Sequence, residues 1–273
     1  MDLDGLLRHL RACNNTELPG GRVPLRLRAQ RIGWLSPEVA RLLAGLGGEA
    51  GPEGITFQDA AALGPASVAL AAAGHGRIRG EAFDIRATPE GPVLGVLDRG
   101  AVPVFGVLAQ GVHLNGLVRR PDGLHVWLGL RAADKAVAPG MLDNLVAGGL
   151  SAGLTPEACL IKEAGEEAAI PPELAAQSRR ASRLGYVMAA PEGLRRDVLH
   201  VFDLDLPEGF MPVPDGDEVE RFDLWPAREV LDVLRREDSV KFNVALVLID
   251  LFLREGLVGD PDGRLRGGLD RFA

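Results

Sequence analysis

Three glutamates, Glu163, Glu166 and Glu167, fall at i, i+3 and i+4, which places them on one face of any helix that contains them. Carboxylates this close repel one another unless a cation sits among them. Mg2+ or Mn2+ suits the position, because hard divalent cations take oxygen ligands. A solvated acidic helix face is the competing reading of the same spacing. Local signals favour the helix itself. Thr155 is a good N-cap, Pro156 stands at the first helical position, and Ile161, Ala164 and Ala168 recur on the apolar side. Upstream, Gly148-Gly149 forms a segment without Cβ atoms, where backbone can pass close to a metal or a phosphate. A divalent cation held here would also acidify a bound water.

The stretch Gly148–Ile170 resembles the Nudix box, G-x5-E-x7-R-E-U-x-E-E-x-G-U with U a bulky aliphatic residue. Glu163, Glu166, Glu167 and the closing Ile170 match. Leu154 stands at the first Glu, Lys162 at the Arg, the small Ala164 at the first aliphatic and Ala169 at the last Gly. Further segments, Leu142 to Gly149 (LDNLVAGG), Lys162 to Glu167 (KEAGEE) and Asp215 to Val219 (DGDEV), are similar to a Nudix (MutT-like) branch related to the N-terminal part of fungal thiamin pyrophosphokinase. That resemblance implies an α/β chain: a C-terminal Nudix α/β/α sandwich with a mixed sheet over 109–273, preceded by a small α+β domain over 1–108. It also implies Mg2+- or Mn2+-dependent hydrolysis of a diphosphate linkage with release of a monophosphate. The implied substrate is thiamin diphosphate or its oxidised (oxo and oxy) forms. ADP-ribose, NADH, a nucleotide sugar or another nucleoside diphosphate derivative is the alternative, and a non-catalytic ligand-binding module is a third. The metal set it implies is Glu163, Glu166, Glu167 and the backbone carbonyl of Gly148. Homodimers are common among such proteins.

The catalytic assignment comprises Glu163, Glu166, Glu167 and Glu218. Glu218, with Glu220 beside it, lies in the later region from which such enzymes draw a general base; an ordinary strand-edge carboxylate is the plainer reading of both. Arg131, Lys135 and Asn144 flank the entrance to the box and are the candidate substrate contacts, against a solvated charge at a hairpin end for the first two. Arg179, Arg180 and Arg183 read as helix-surface charges rather than phosphate clamps. The five histidines show no HxH or HExxH spacing, so a zinc site is not expected. Trp34, Trp127 and Trp225 could stack on a planar ring, but core packing is the expected role.

Composition sets the frame. The chain has 273 residues, 47% hydrophobic and 25% charged, the balance of a globular protein with a substantial core. Its 35 glycines and many alanines look like GC-rich bacterial coding bias. A formal net charge of −8 argues against a general nucleic-acid binder. Cys13 and Cys159 make neither a disulfide framework nor a zinc site. With no leader-like start and no run near the ~20 apolar residues of a membrane span, a cytoplasmic protein acting on a small diphosphate, without membrane partners, is expected.

The elements that must position the box are also readable. Residues 2–14 read as an amphipathic helix, Val23–Arg28 as a strand, and Ser36-Pro37 opens a helix with Val39, Leu42, Leu43 and Leu46 inward. Gly47–Gly54 reads as a loop, a helix starts near Thr56, and Ser67–Ala73 is ambiguous. Phe83–Ala87 reads as a strand, and Val93–Asp98 as a strand or short helix. His113–Arg119 and Leu124–Arg131 flank Pro121-Asp122-Gly123 as a hairpin. Lys135–Asn144 is an irregular connector and Leu145–Ala147 a short strand. Beyond the box, Glu173–Arg183 reads as a helix or turn, Leu184–Ala189, Arg196–Leu204 and Glu218–Leu224 as strands, and two helices follow Pro226 and Asp238. The tail from Gly259 reads as a loop.

Overall fold

Period-two alternation builds the main sheet, because successive side chains of a strand point to opposite faces. The computed structural model describes residues 3–135 and 137–272. Its first part runs α1 (Asp4–Cys13), β1 (Val23–Leu27), β2 (Gln30–Leu35), α2 (Pro37–Ala44), β3 (Glu49–Gly51), β4 (Gly54–Phe57), a 3-10 turn, α3 (Leu63–Ala72), β5 (Ala82–Ile85), β6 (Gly95–Asp98) and α4 (Val102–Phe105). The second part runs β7 (Leu108–Arg120), β8 (Gly123–Arg131), β9 (Leu142–Asp143), β10 (Val146–Gly149), α5 (Pro156–Ala168), α6 (Pro172–Ala175), β11 (Arg179–Ala190), β12 (Gly193–Asp205), β13 (Val219–Pro226), α7 (Ala227–Arg236), α8 (Phe242–Arg254) and α9 (Arg264–Leu269).

Strands β11-β12-β7-β8-β13 form a mixed sheet, with β10 paired to β7 and β9 to β8. The β7–β12 pair is parallel and the β7–β8 hairpin antiparallel. Val112, Leu114 and Val118 of β7, Trp127 of β8, and Phe202 and Leu204 of β12 bury against Cys159, Leu160, Ala164 and Ala168 of α5. The alternate residues Leu117, Val126, Leu128, Leu199 and Val201 bury against α1, α7, α8 and α9. This is an α/β/α sandwich with α5, joined by the short α6, on one face of the box strands. A separate core gathers β1, β2, β4, β5, β6 and helices α2 to α4, over a four-stranded sheet of order β2-β1-β4-β3 and the β5-β6 pair. Helix α1, although first in the chain, buries Leu6, Leu7, Leu10 and Cys13 in the core of the second part.

Several sequence expectations are corrected. Gly47–Gly54 holds strand β3, and Thr56-Phe57 end strand β4 instead of opening a helix. Phe57 is fully buried there, so its apolar side chain served a strand rather than a helix face. Leu42 points outward at 37% exposure, while Val39 and Leu43 are buried. Arg179, Arg180 and Arg183 lie on strand β11, where each pairs with a carboxylate. The tail forms α9, anchored by Leu265 and Leu269 in the core. Asp2, at the start of the first expected helix, lies outside the described residues, as does Ala136 in the connector. Among the described residues no helix is long and apolar enough to cross a membrane.

Candidate active site

Helix α5 begins as its sequence dictates: Thr155 Oγ1 accepts from the Ala158 N–H at 3.2 Å, and Pro156 follows. It ends at Ala169, held left-handed at φ +52°, where the box pattern has glycine. Between these ends the three glutamates take different roles. Glu167 is 7% exposed and accepts from the Ala147 N–H of β10 at 3.0 Å. Glu163 lies under Gly148: a Cβ on that glycine would stand 2.4 Å from the Glu163 carboxyl carbon. Glu166 turns outward, and the Lys162 ammonium bridges it at 2.6 Å to Glu163 at 3.1 Å. The three carboxylates therefore do not converge. Among the described residues no three Asp, Glu, His or Cys side chains stand together as a ready-made metal cage.

Burial pushes the Glu167 carboxyl well above the usual carboxylate range; the Ala147 hydrogen bond opposes this, and the charges of Asp143, Glu163 and Glu218 reinforce it. Burial likewise raises Glu163, with Lys162 opposing and Glu166 and Glu81 adding to the rise. A buried carboxylate beside other carboxylates, with no cation of its own, is the environment a divalent cation would relieve. The donors fit such a cation. Glu163, Glu167 and the Gly148 backbone offer hard oxygens, and the missing Cβ of Gly148 is what lets Glu163 approach.

A cavity of about 930 Å³ meets the box along Ala147, Gly148 and Gly149. Glu218 lines it and makes a 3.5 Å ion pair with Lys135, which lines it too. Glu220 falls at the irregularity in the β8–β13 pairing and is exposed. Arg131 also lines the cavity, yet its Nη1 is committed to Asp143 at 2.8 Å. Asn144 is 2% exposed and stands outside the lining. Its Nδ2 donates to Asn115 Oδ1 at 2.9 Å, which leaves its own Oδ1 to accept from His113 Nδ1 at 2.9 Å. Asn144 thus holds His113 rather than reaching a ligand. Trp34, Trp127 and Trp225 are likewise absent from this lining.

Sequence reasoning missed three groups here. Lys241, just before α8, joins Arg131 on the buried Asp143 at 2.8 Å, and it lines the cavity with Phe242 and Asn243. The Asp143 carboxyl is buried, and Lys241 and Arg131 overcome that burial to hold it below the usual range. His113 lines the cavity as a neutral imidazole, its pKa lowered to about 4 by burial and by Lys241. Asp143 was visible inside the LDN segment. Lys241 and His113 carried no spacing signal, because the fold alone brings them to the box.

The comparisons accord with this geometry. Residues 110–245 match the family model described as NUDIX domain. Nudix hydrolase 20, chloroplastic, from Arabidopsis thaliana is 39% identical over 181 residues, covering 66% of this chain and 48% of that protein. Nudix hydrolase 24, chloroplastic, from the same plant is 36% identical over 66% of this chain and 50% of its own length. The chain thus spans about half the length of the curated relatives it matches. Among solved structures, the protein DR0079 of Deinococcus radiodurans is 19% identical, with a TM-score of 0.47 over 62% of this chain and 97% of its own. The glycine segment, the acidic helix and the sheet that joins them accordingly belong to one recognised unit: residues 110–245 of this chain are a NUDIX domain.

Proposed function

We propose that the chain hydrolyses a diphosphate linkage in a small molecule and releases a monophosphate, with Mg2+ or Mn2+ held by Glu163, Glu167 and the Gly148 carbonyl. The observation that carries this reading is the buried Glu167 carboxylate, fixed to the Ala147 N–H beside Glu163 and, among the described residues, without an ion-pair partner. The bound metal would supply charge neutralisation and acidify a water. The protein's own part is to aim the two carboxylates through β10 and to face the substrate with Arg131, Lys135 and Lys241. Glu166, which Lys162 bridges to Glu163, would serve as an outer carboxylate of such a metal site. Glu218 is the general base, since it lines the cavity beside the box and keeps a half-exposed carboxylate. We also assign residues 1–108 to a small α+β unit and 109–273 to the Nudix unit, with α1 as an arm that packs on the latter.

Thiamin diphosphate and its oxidised forms are the substrates that the branch resemblance favours. The cationic cavity lining favours the oxo form, whose thiazolone ring is uncharged, over the thiazolium of the parent. The same lining supports a second reading, a nucleoside diphosphate derivative such as ADP-ribose. Incubation with Mg2+ and a panel of thiamin diphosphate, its oxo and oxy forms, ADP-ribose and NADH, with released monophosphate measured, tests the proposal. Turnover of at least one compound that is abolished by a chelator is expected. No turnover of any would sink it.

A further inference from the structure

The cavity extends well past the box. Its lining includes a second set of cations: Arg22, Arg77, Arg79, Arg99 and Arg195. Arg99 is spoken for by Glu81 at 2.8 Å, and Arg195 pairs with Glu192 and, at 3.7 Å, with Asp197. Among the described residues the guanidinium groups of Arg77 and Arg79 make no hydrogen bond or ion pair, although Glu192 interacts at longer range with Arg77 and Glu81 with Arg79. Burial, followed by the neighbouring Arg77, Arg99 and Arg195, pulls the Arg79 pKa down, and Glu81 only partly offsets this. Cations placed together without matching carboxylates are costly unless an anion joins them.

This cluster is built rather than incidental. The loop between α3 and β5 carries Arg77 and Arg79, and the Asp98 carboxylate at the end of β6 grips it. Asp98 accepts from the backbone N–H groups of Arg79 at 2.9 Å and Gly80 at 2.8 Å, and from that of Gly100 at 2.8 Å. Gly100 has no room for a side chain, since a Cβ there would stand 2.1 Å from the Arg77 carbonyl oxygen. The next residues tie the loop to the box: Ser151 Oγ donates to Glu81 Oε1 at 3.0 Å, and the Ala152 N–H donates to the Ala82 carbonyl at 2.8 Å. The arginines are thereby fixed relative to Gly148 and Gly149.

Guanidinium groups match phosphate oxygens in bidentate geometry. We propose that Arg77 and Arg79 form a phosphate-binding arm of the cavity, contributed by the N-terminal unit and separate from the metal-binding box. The arm rests on the hydrolase reading for its biological use but not for its chemistry. The phosphate is either the one released by hydrolysis or a phosphate group carried by the substrate.

Calorimetric titration of the full chain in EDTA, with inorganic phosphate and with adenosine 5′-monophosphate in separate arms, tests the assignment. Binding of at least one is expected, weakened about tenfold or more in Arg77→Ala/Arg79→Ala and largely retained in Arg77→Lys/Arg79→Lys. Inorganic phosphate binding alone assigns the arm to a terminal phosphate set free as inorganic phosphate; binding of the monophosphate ester assigns it to a phosphate that stays on its organic group. No binding of either, or equal binding by wild type and the alanine pair, overturns the proposal. The alanine pair removes no hydrogen bond, and circular dichroism verifies its fold. Chelator removes the metal, so the titration stands whatever the outcome of the metal-dependent turnover assay.

Discussion

Glu167 is asked to be a buried anion, and folding alone disfavours that. Its folded-state pKa lies above the unfolded value of a glutamate because burial and neighbouring carboxylates favour the protonated form. The contribution of the group to stability is therefore fully present below the unfolded pKa and is lost as pH rises through the folded one. Glu167→Gln keeps an acceptor for the Ala147 N–H and removes the charge. In EDTA near neutral pH this variant should melt higher than wild type, by about 1 kcal/mol, with the gap closing as pH falls. Thermal melts across pH in chelator give the result. Ala169 poses a smaller conflict. Its left-handed φ of +52° strains any side chain. Ala169→Gly should stabilise the chain by about 0.5–1 kcal/mol, read from denaturant midpoints. The sequence showed the departure from glycine at this position, and the structure shows that the conformation persists without it. The outward turn of Glu166 was not legible, because spacing on a helix does not say which neighbour a side chain will choose.

At the scale of elements, β10 and α5 work as one device. Strand pairing fixes β10 on β7, α5 buries its apolar side against the same sheet, and the carboxylates meet the β10 backbone between them. The spacing depends on Gly148. In Gly148→Ala the new methyl group would meet the end of the Glu163 side chain, which is flexible and can move aside. Stability should fall by no more than about 1 kcal/mol. Mn2+ affinity, followed by electron paramagnetic resonance, should drop about 10- to 100-fold, and unchanged affinity would argue against Glu163 as a ligand. These elements were readable because their signals are local: a capped helix, a glycine pair and an alternating hairpin. Strand β4 and helix α9 were misread for a related reason. Phe57, and Leu265 with Leu269, serve cores assembled from distant segments, and short apolar runs carry little periodicity of their own.

Over the whole molecule, charge is distributed against the average. The chain carries a formal net charge of −8, yet the cavity gathers arginines and lysines from both parts of the chain. Only the fold creates that local field, which is why composition argued against a general nucleic-acid binder without revealing an anion site. Lys241, Arg77 and Arg79 lie far from the box in sequence and reach it through docking, α8 beneath the sheet and the β5 loop beside Ser151. On the proposed reading the Nudix unit would hold the metal and the linkage, and the N-terminal unit would supply the further cations that line the cavity.

The claim on which all of this rests is that Glu167 serves metal-dependent hydrolysis. Phosphate release by wild type and Glu167→Gln, measured side by side with Mg2+ on the best substrate of the panel, tests it most directly. The account predicts a kcat lower by at least about a hundredfold in the variant, with a melting temperature no lower than that of wild type in chelator. A variant that turns over at the wild-type rate would contradict it.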